Sequence, residues 1–249
     1  MKKALTGSYA VAEAMRQINP DVVAVYPITP QSQIMQRFAD LVADGLVDTE
    51  LIRAESEHSA LSACVGSSAA GARTMTASCS QGLALMYEIL YVASGLRLPI
   101  IMNITNRALS APINIHCDHS DSIGCRDSSW IQFYCENVQE AYDLTLISTK
   151  LAENKDILLP VMICQDGFIT SHSVEAVELL EDKKVKNFVQ EYKPKLSLLK
   201  DNVTYGPHDP PAYYFDHKIQ QVQAMDNVKK VFKKVSKEFF RISKRKYNL

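Results

Sequence analysis

The sequence lacks several patterns that would place a chain in a large functional class. No apolar stretch approaches the roughly 18–20 residues that a membrane-spanning helix needs, and the initial MKKALTGSYAVAEA lacks the long apolar segment of a secretory signal. The 27 Lys and Arg residues nearly balance the 28 Asp and Glu residues, which leaves a net charge of -1 and no overall attraction to nucleic acid. We therefore expect a cytoplasmic protein that binds neither membranes nor nucleic acid.

Common cofactor fingerprints are also missing. The six cysteines contain no C-x-x-C pair, which argues against a zinc ribbon or a ferredoxin-type cluster, so we expect reduced, packed thiols and place any electron-transfer clusters on another chain. No G-x-G-x-x-G is present, so a nicotinamide-binding domain lacks its signature. Gly66 and Gly71 have the spacing of a phosphate-binding loop, but Ala72-Arg73 follows in place of Gly-Lys, and the segment closes a helix instead of opening one.

Helical and strand patterns alternate from residue 6 to about residue 166. Segments with helical spacing, such as TGSYAVAEAMRQI, PQSQIMQRFADLVA and SQGLALMYEILYVASGL, are separated by apolar runs such as DVVAVY, RTMTAS and LPIIMNIT. This alternation predicts an α/β fold with a mostly parallel sheet and helices on both faces. We place this domain at residues 1–175.

The pattern changes beyond residue 172. The segment YKPKLSLLKDNVTYGPHDPPAYYFDHK contains four of the ten prolines and few periodic apolar positions, so we expect it to cross the surface. Residues 217–243 then predict an amphipathic helix with a strongly basic outer face. Such a face is typical of a docked helix exposed to solvent, or of a helix that binds acidic partners or membrane surfaces. We predict that residues 176–249 form a proline-rich excursion and a helix packed on the same domain. The apolar face of that helix comprises Val228, Val231, Phe232, Val235, Phe239 and Ile242.

The stretch VAVYPITPQS ends an apolar run with two prolines that bracket Thr29. Pro27 ends the strand because it has no N–H, and Pro30 suits the start of a helix, where a missing N–H costs nothing. Thr29 is therefore expected at a strand-to-helix corner, above the carboxyl end of a strand, where open α/β sheets bind ligands. The alternative is that Thr29 only caps the next helix.

Other polar residues also follow predicted strands. Glu57, in LIRAESEHSA, begins a helix rich in alanine and serine, where it is either desolvated for chemistry or simply favoured by the helix dipole. Ser80 and Gln81 lie in the turn ASCSQG. Arg107 follows LPIIMNIT, where its guanidinium can bind a substrate carboxylate or pair with a neighbouring acid. Because the carboxyl ends of parallel strands share one edge, these residues can line one crevice.

The loop NIHCDHSDS groups four side chains that are able to bind metals, His116, Asp118, His119 and Asp121. Carboxylate oxygens mixed with two histidines in this spacing match no common metal site, and loops are often polar for other reasons. We therefore predict no metal ligands in this chain.

These segments also carry a family resemblance. YPITP, ESEHSALSACVGSSAAGARTMTASCSQGLALMYE, GLRLPIIMNITNRALSAPINIHCDHSDS and WIQFYCENVQEAYDLT together resemble the alpha chains of pyruvate:ferredoxin oxidoreductase and its 2-oxoacid relatives. The similarity extends from about residue 5 into the C-terminal tail. It implies the thiamine diphosphate-binding fold of the pyrimidine type, and oxidative decarboxylation of pyruvate to acetyl-CoA and CO₂.

The resemblance further implies an active site shared between chains. A beta subunit would hold the cofactor's diphosphate and Mg²⁺, because the G-D-G…N signature for that half is absent here. Gamma and delta subunits would carry the iron–sulfur clusters that pass electrons to ferredoxin, and coenzyme A would accept the acyl group. Alpha chains of this family usually continue into a second α/β domain, whereas this sequence ends at Leu249; a first-domain piece and a naturally split subunit both remain open.

Specific roles follow from the resemblance. Glu57 would hydrogen-bond N1′ of the aminopyrimidine and assist loss of the C2 proton, while Thr29 and Arg107 would bind the 2-oxoacid. The other residues implied to contact the cofactor are Tyr26, Pro27, Ile28, Ser80 and Gln81. Two interpretations remain beside pyruvate oxidation: a branched-chain 2-oxoacid (2-oxoisovalerate) oxidoreductase, which differs in pocket shape, and a non-catalytic assembly subunit. The presence of Thr29, Glu57 and Arg107 argues against the latter.

Overall fold

The computed structural model describes all residues from 1 to 249. Its strands are β1 (Lys2–Thr6), β2 (Val22–Val25), β3 (Glu50–Arg53), β4 (Thr74–Ser78), β5 (Ile101–Asn106), β6 (Ile131–Tyr134), β7 (Val161–Asp166) and β8 (Val174–Glu178). Its α-helices are α1 (Gly7–Ile18), α2 (Ser32–Ala43), α3 (Glu57–Ala69), α4 (Ser80–Leu85), α5 (Tyr87–Gly95), α6 (Ser120–Ile123), α7 (Val138–Ala152), α8 (Ile169–His172), α9 (Asp182–Val189) and α10 (Pro211–Ser243).

Six strands form one sheet in the order β3-β2-β4-β5-β7-β6. All neighbouring pairs are parallel, so their carboxyl ends lie at one edge. Successive strand residues enter opposite cores, as a period of two requires: Val23 and Val25 join the larger apolar cluster, whereas Ala24 joins the smaller one. The larger cluster includes residues of α1, α2, α7 and α10, and the smaller includes residues of α3, α4 and α5. The predicted α/β fold, with helices on both faces of a parallel sheet, is therefore confirmed.

The structure contains elements that the sequence patterns did not predict. β1 and β8 form a separate antiparallel pair, and β6 adds a four-residue edge strand to the main sheet. The predicted long helix from Ser80 to Gly95 is interrupted at Met86, whose N–H lies 3.1 Å from the carbonyl oxygens of both Gly82 and Leu83. Sharing of one N–H between two carbonyl oxygens tightens the helix locally.

The C-terminal helix α10 packs on the main domain. Most of the predicted apolar face is buried in the larger cluster, with Ile242 partly buried against it. The helix begins at Pro211, before the predicted start at residue 217, because proline fits the first turn of a helix. The docked-helix interpretation therefore accounts for the apolar face. No helix, including the 33-residue α10, combines the length and apolar character needed to cross a membrane.

The chain after α10 is held by a buried acid. Arg245 donates from Nε and Nη2 to the two carboxylate oxygens of Asp143, at 2.5 and 2.8 Å. The hydroxyl of Tyr247 donates to the same carboxylate at 2.5 Å. Asp143 lies on α7 and is fully buried, so these bonds join the C-terminal segment to that helix.

Candidate functional site

Four neighbouring strands, β3, β2, β4 and β5, bring the predicted site residues to one edge of the sheet. The corner from Tyr26 to Pro30 follows β2, Ser80 and Gln81 follow β4, and Arg107 follows β5. Glu57 begins α3, which follows β3. The predicted convergence of these corners is therefore observed, and contacts between them define the site.

Arg107 is the centre of these contacts. Its Nη1 donates to the backbone carbonyl of Thr29 at 2.5 Å, and its Nη2 donates to Oε1 of Gln81 at 2.6 Å. The residue is 7% exposed, Nε is buried without a hydrogen-bond partner, and the guanidinium forms no ion pair with any carboxylate. The alternative of a local ion pair is therefore wrong. A buried cation without a counter-ion favours an anionic ligand.

Thr29 contributes its main chain to this arrangement. Its carbonyl oxygen also lies 3.2 Å from Sγ of Cys79, whereas the side chain is exposed and makes no hydrogen bond within the protein. Helix α2 begins at Ser32, and Gln31 at the preceding position makes no capping bond through its side chain. The interpretation of Thr29 as a helix cap is therefore wrong. Pro30 likewise precedes the helix instead of beginning it.

The other residues of this corner differ in exposure. Pro27 is exposed, and Tyr26 and Ile28 are half-buried. The backbone N–H of Ile28 donates weakly to Oε1 of Gln31 at 3.4 Å. The three residues therefore present both side chains and main chain at the sheet edge.

Glu57 is a buried acid without a protein partner. It is 7% exposed and receives no hydrogen bond from any protein donor, although it occupies the first turn of α3. The N-cap role belongs to Ser56, whose hydroxyl accepts from the N–H of Ser59 at 3.1 Å. Glu55, in contrast, is exposed, and its bond from the Ser59 hydroxyl holds its pKa below the usual value. Of the two acids, Glu57 is the one available to a buried ligand.

Gly82 makes room for the Glu57 carboxylate. A Cβ at position 82 would lie 2.6 Å from Oε1 of Glu57 and 2.6 Å from Oγ of Ser78. The Ser78 hydroxyl is itself buried without a hydrogen-bond partner. Both polar groups next to Gly82 therefore lack a hydrogen-bond partner within the protein.

Ser80 and Gln81 have different surroundings. The Ser80 hydroxyl is fully buried, 2.5 Å from the carbonyl oxygen of Ala108 and 2.5 Å from Oε1 of Gln81. Gln81 also donates from Nε2 to the Ser110 hydroxyl at 2.8 Å. Ser80 therefore faces the protein and fixes Gln81, which in turn holds the Arg107 guanidinium.

Asp121 is an organising residue that sequence reasoning did not assign. Its Oδ2 accepts hydrogen bonds from the N–H of Ser80 at 2.8 Å and from the N–H of Arg107 at 3.2 Å. Its Oδ1 accepts hydrogen bonds from Nδ2 of Asn106 at 2.8 Å and from the N–H of Ser122 at 2.7 Å. Burial raises its pKa, and these four bonds oppose that shift. One carboxylate thus joins the segments after β4 and β5 to α6. Because Asp121 lies in a polar loop, the sequence did not indicate that its carboxylate is buried.

The loop that contains His116 and His119 forms a cluster of side chains other than the four named from its sequence. Nε2 of His119 lies 2.6 Å from Oδ1 of Asp166, and the thiol of Cys117 joins this pair, while Asp121 faces Arg107 and Ser80. Burial and the nearby Asp166 carboxylate raise the pKa of the Cys117 thiol to about 11. Asp118 instead accepts from the side chain and N–H of Ser120, which lowers its pKa.

The comparisons with known proteins agree on one protein family. Residues 13–237 match the family model described as pyruvate flavodoxin/ferredoxin oxidoreductase, thiamine diphosphate-binding. The chain is 60% identical over 246 residues to pyruvate synthase subunit PorA of Thermotoga maritima, covering 98% of this chain and 63% of that protein. It is 51% identical to the same subunit of Methanocaldococcus jannaschii, covering 98% of this chain and 64% of that protein. It is 43% identical to ketoisovalerate oxidoreductase subunit VorA of Pyrococcus horikoshii, covering 96% of this chain and 61% of that protein. The chain thus spans slightly less than two thirds of these relatives.

Solved structures show the same fold at low identity. A 2-oxoglutarate:ferredoxin oxidoreductase from Magnetococcus marinus, with 2-oxoglutarate, coenzyme A and succinyl-CoA bound, matches with a TM-score of 0.76 at 20% identity, covering 91% of this chain and 45% of that chain. A thiamin diphosphate-dependent enzyme from Mycobacterium smegmatis, described as putative, matches with a TM-score of 0.51 at 14% identity, covering 72% and 34%.

Proposed function

The chain belongs to the pyruvate flavodoxin/ferredoxin oxidoreductase family, within its thiamine diphosphate-binding domain, and we propose that it supplies the pyrimidine-binding half of a pyruvate:ferredoxin oxidoreductase active site. The proposed reaction is the oxidative decarboxylation of pyruvate to acetyl-CoA and CO₂, with electrons passed to ferredoxin. The observation that carries the proposal is a buried carboxylate without a donor, Glu57, at the same sheet edge as a buried guanidinium without a counter-ion, Arg107.

The surroundings of Glu57 fit an aminopyrimidine. When bound, thiamine diphosphate supplies a nucleophilic carbon that adds to the 2-oxo group and then holds the electron pair left when CO₂ departs. Glu57 would hold the ring nitrogen N1′, donating a hydrogen bond as the protonated acid and accepting one as the carboxylate once N1′ carries the proton. Gly82 leaves the space that this contact needs, since a Cβ there would lie 2.6 Å from that carboxylate.

Arg107 and Thr29 bind the 2-oxoacid. The bonds from Arg107 to Thr29 and Gln81 fix the plane of the guanidinium before a ligand arrives, so little ordering is required on binding. Its positive charge attracts the substrate carboxylate. The exposed hydroxyl of Thr29 donates to the 2-oxo or carboxylate oxygen, because no protein group uses it.

Further components lie on partner chains. A beta subunit holds the diphosphate and Mg²⁺, and gamma and delta subunits carry the iron–sulfur clusters that reduce ferredoxin, with coenzyme A as the acyl acceptor. The state of the cysteines supports this division, because five of the six are buried and none belongs to a C-x-x-C pair. The subunit names of the relatives also support an assembly of several chains.

The relatives favour pyruvate over a branched-chain 2-oxoacid. Identity is 47–60% to the PorA subunits named above and their archaeal counterparts, against 42–43% to the VorA subunits. The retained Glu57 and Arg107 geometry supports a catalytic chain over an assembly subunit.

The proposal is tested by assembling the chain with its partner subunits and measuring reduction of a viologen dye with a panel of 2-oxoacids and coenzyme A. We expect pyruvate to give the highest kcat/KM, and Arg107→Lys to lower it strongly. Arg241→Lys is the matched control, because Arg241 is exposed on α10, and its activity should be unchanged. An assembled complex that is inactive with every 2-oxoacid, or one that prefers 2-oxoisovalerate, would overturn the proposal.

A further inference from the structure

Cys117, His119 and Asp166 meet at the end of β7 and have no part in the function proposed above. Their sulfur, ring-nitrogen and carboxylate-oxygen atoms all lie within 4.8 Å of one another, and each side chain is half-buried. We propose that this cluster is a zinc site with three protein ligands and a fourth position for water.

The chemical types of the ligands select the metal. A thiolate, an imidazole and a carboxylate are all ligands that Zn²⁺ accepts, whereas Mg²⁺ and Ca²⁺ prefer oxygen alone. Tetrahedral zinc bonds of about 2.0–2.3 Å place ligand atoms roughly 3.3–3.6 Å apart. His119 Nε2 and Asp166 Oδ1 are 2.6 Å apart, so these two atoms must separate slightly to admit the ion. The Cys117 sulfur lies within 4.8 Å of both atoms.

The local charges favour a cation at this position. One thiolate and one carboxylate neutralise the charge of Zn²⁺. The only ion-pair partner of Asp166 is His119, so no lysine or arginine competes for that carboxylate. Asp118, beside the cluster in sequence, forms no ion pair with any basic residue either.

The scaffold supports the ligands on two sides. Asp166 ends β7, which pairs along its length with β5. His119 immediately precedes α6, and its ring packs edge-on against Tyr134, with centroids 5.2 Å apart. A bound ion would therefore fasten the loop between Arg107 and His119 to the neighbouring strand, and this loop follows directly from the arginine of the proposed active site.

The position of the cysteines makes the site measurable. Cys117 is half-buried, whereas the other five cysteines are buried. Co²⁺ bound to a thiolate gives a sulfur-to-metal charge-transfer band in the near ultraviolet, so such a band reports Cys117.

The test is titration of the reduced, metal-free chain with Co²⁺, followed by displacement with Zn²⁺. We expect a charge-transfer band that saturates at one equivalent of Co²⁺ and disappears when Zn²⁺ is added. Cys117→Ser should abolish the band, and His119→Ala should weaken binding at least ~tenfold, a loss of about 1.4 kcal/mol. His116→Ala is the matched control, because His116 is exposed in the same loop, and it should bind Co²⁺ normally.

Circular dichroism of each variant separates loss of the site from loss of the fold, and His119→Asn provides a second variant if Cys117→Ser does not fold. Absence of the band in the wild-type chain would overturn the proposal. It would also be overturned by a band that persists in Cys117→Ser, or by equal weakening in His116→Ala and His119→Ala.

Discussion

Arg107 donates from Nη1 to the backbone carbonyl oxygen of Thr29 at 2.5 Å, across 78 positions of sequence. This bond ties the end of β5 to the corner after β2. The bond uses the main chain of Thr29 and leaves the side-chain hydroxyl available. A side-chain substitution at position 29 therefore does not remove the bond. The two residues can therefore be tested separately.

Arg107→Lys should lower kcat/KM for pyruvate by roughly ten- to a hundred-and-fifty-fold, because a lysine cannot reproduce the oriented contact and a charge-assisted bond contributes ~1.5–3 kcal/mol.

Thr29→Val should lower kcat/KM for pyruvate about two- to tenfold, since it removes one neutral hydrogen bond of ~0.5–1.5 kcal/mol. Steady-state kinetics beside thermal melting checks both values. A variant with a lower Tm and normal kcat/KM would show that Arg107 has only a structural role.

Gly82→Ala tests the space around Glu57. The new Cβ would lie 2.6 Å from the Glu57 carboxylate and from the Ser78 hydroxyl, so one of them must move, and we expect both lower stability and a loss of activity. Gly66→Ala, in helix α3, is the control because nothing lies within 4 Å of its added Cβ; it should be neutral or stabilising by up to ~1 kcal/mol. Denaturant unfolding and turnover assays measure the pair. Equal effects at both positions would remove the claim that Gly82 makes room for Glu57.

Asp121→Asn should destabilise the loops that position Arg107. The four groups that contact Asp121 are all donors, so an amide NH₂ would face two of them and leave them unpaired, at ~1–3 kcal/mol each. We expect a fall in unfolding free energy of about 2–6 kcal/mol and a raised KM for pyruvate. Asp118→Asn, which loses only a local contact with Ser120, should change neither by a measurable amount. A normal KM in a folded Asp121→Asn enzyme would contradict this positioning role.

Arg245→Ala tests whether residues 176–249 belong to the same folding unit as residues 1–175. It leaves the fully buried carboxylate of Asp143 without its cationic partner, which typically costs ~3–5 kcal/mol. Lys246→Ala changes an exposed neighbour and should be neutral. We expect Arg245→Ala to lower the Tm while unfolding remains a single transition. A separate early transition of the C-terminal segment would contradict the predicted domain boundaries.

Sequence patterns predicted five of the six strands of the main sheet, all except β6, and the corners of the site. Buried parallel strands such as LPIIMNIT are apolar along their length, and the polar residue that follows each one marks the edge where ligands bind. That logic placed Glu57 and Arg107 at this edge, where the structure has them. The apolar face from Val228 to Ile242 likewise predicted a docked helix, because its spacing near 3.6 residues persists over several turns.

The features that the sequence patterns missed depend on strand pairing and on side-chain contacts, which the spacing of apolar residues does not encode. β1 contains Lys2 and Lys3 and pairs with an acidic strand, so it has no apolar run, and the four residues of β6 are too few to establish a period. Asp121 is buried by bonds to residues 14–41 positions away. Asp166 meets His119 across 47 positions, and so sequence spacing could not reveal their pairing.

The central claim is that Glu57 activates the cofactor, and the most direct measurement is deuterium exchange at thiamine C2 in the assembled complex. Glu57→Gln should keep the fold and the assembly but slow exchange by about a hundredfold or more, because an amide cannot exchange a proton with N1′. Glu55→Gln should exchange at the wild-type rate, since Glu55 is exposed and bound to Ser59. An unchanged rate in Glu57→Gln would contradict the account, and slowed exchange in Glu55→Gln would assign the role to Glu55 instead.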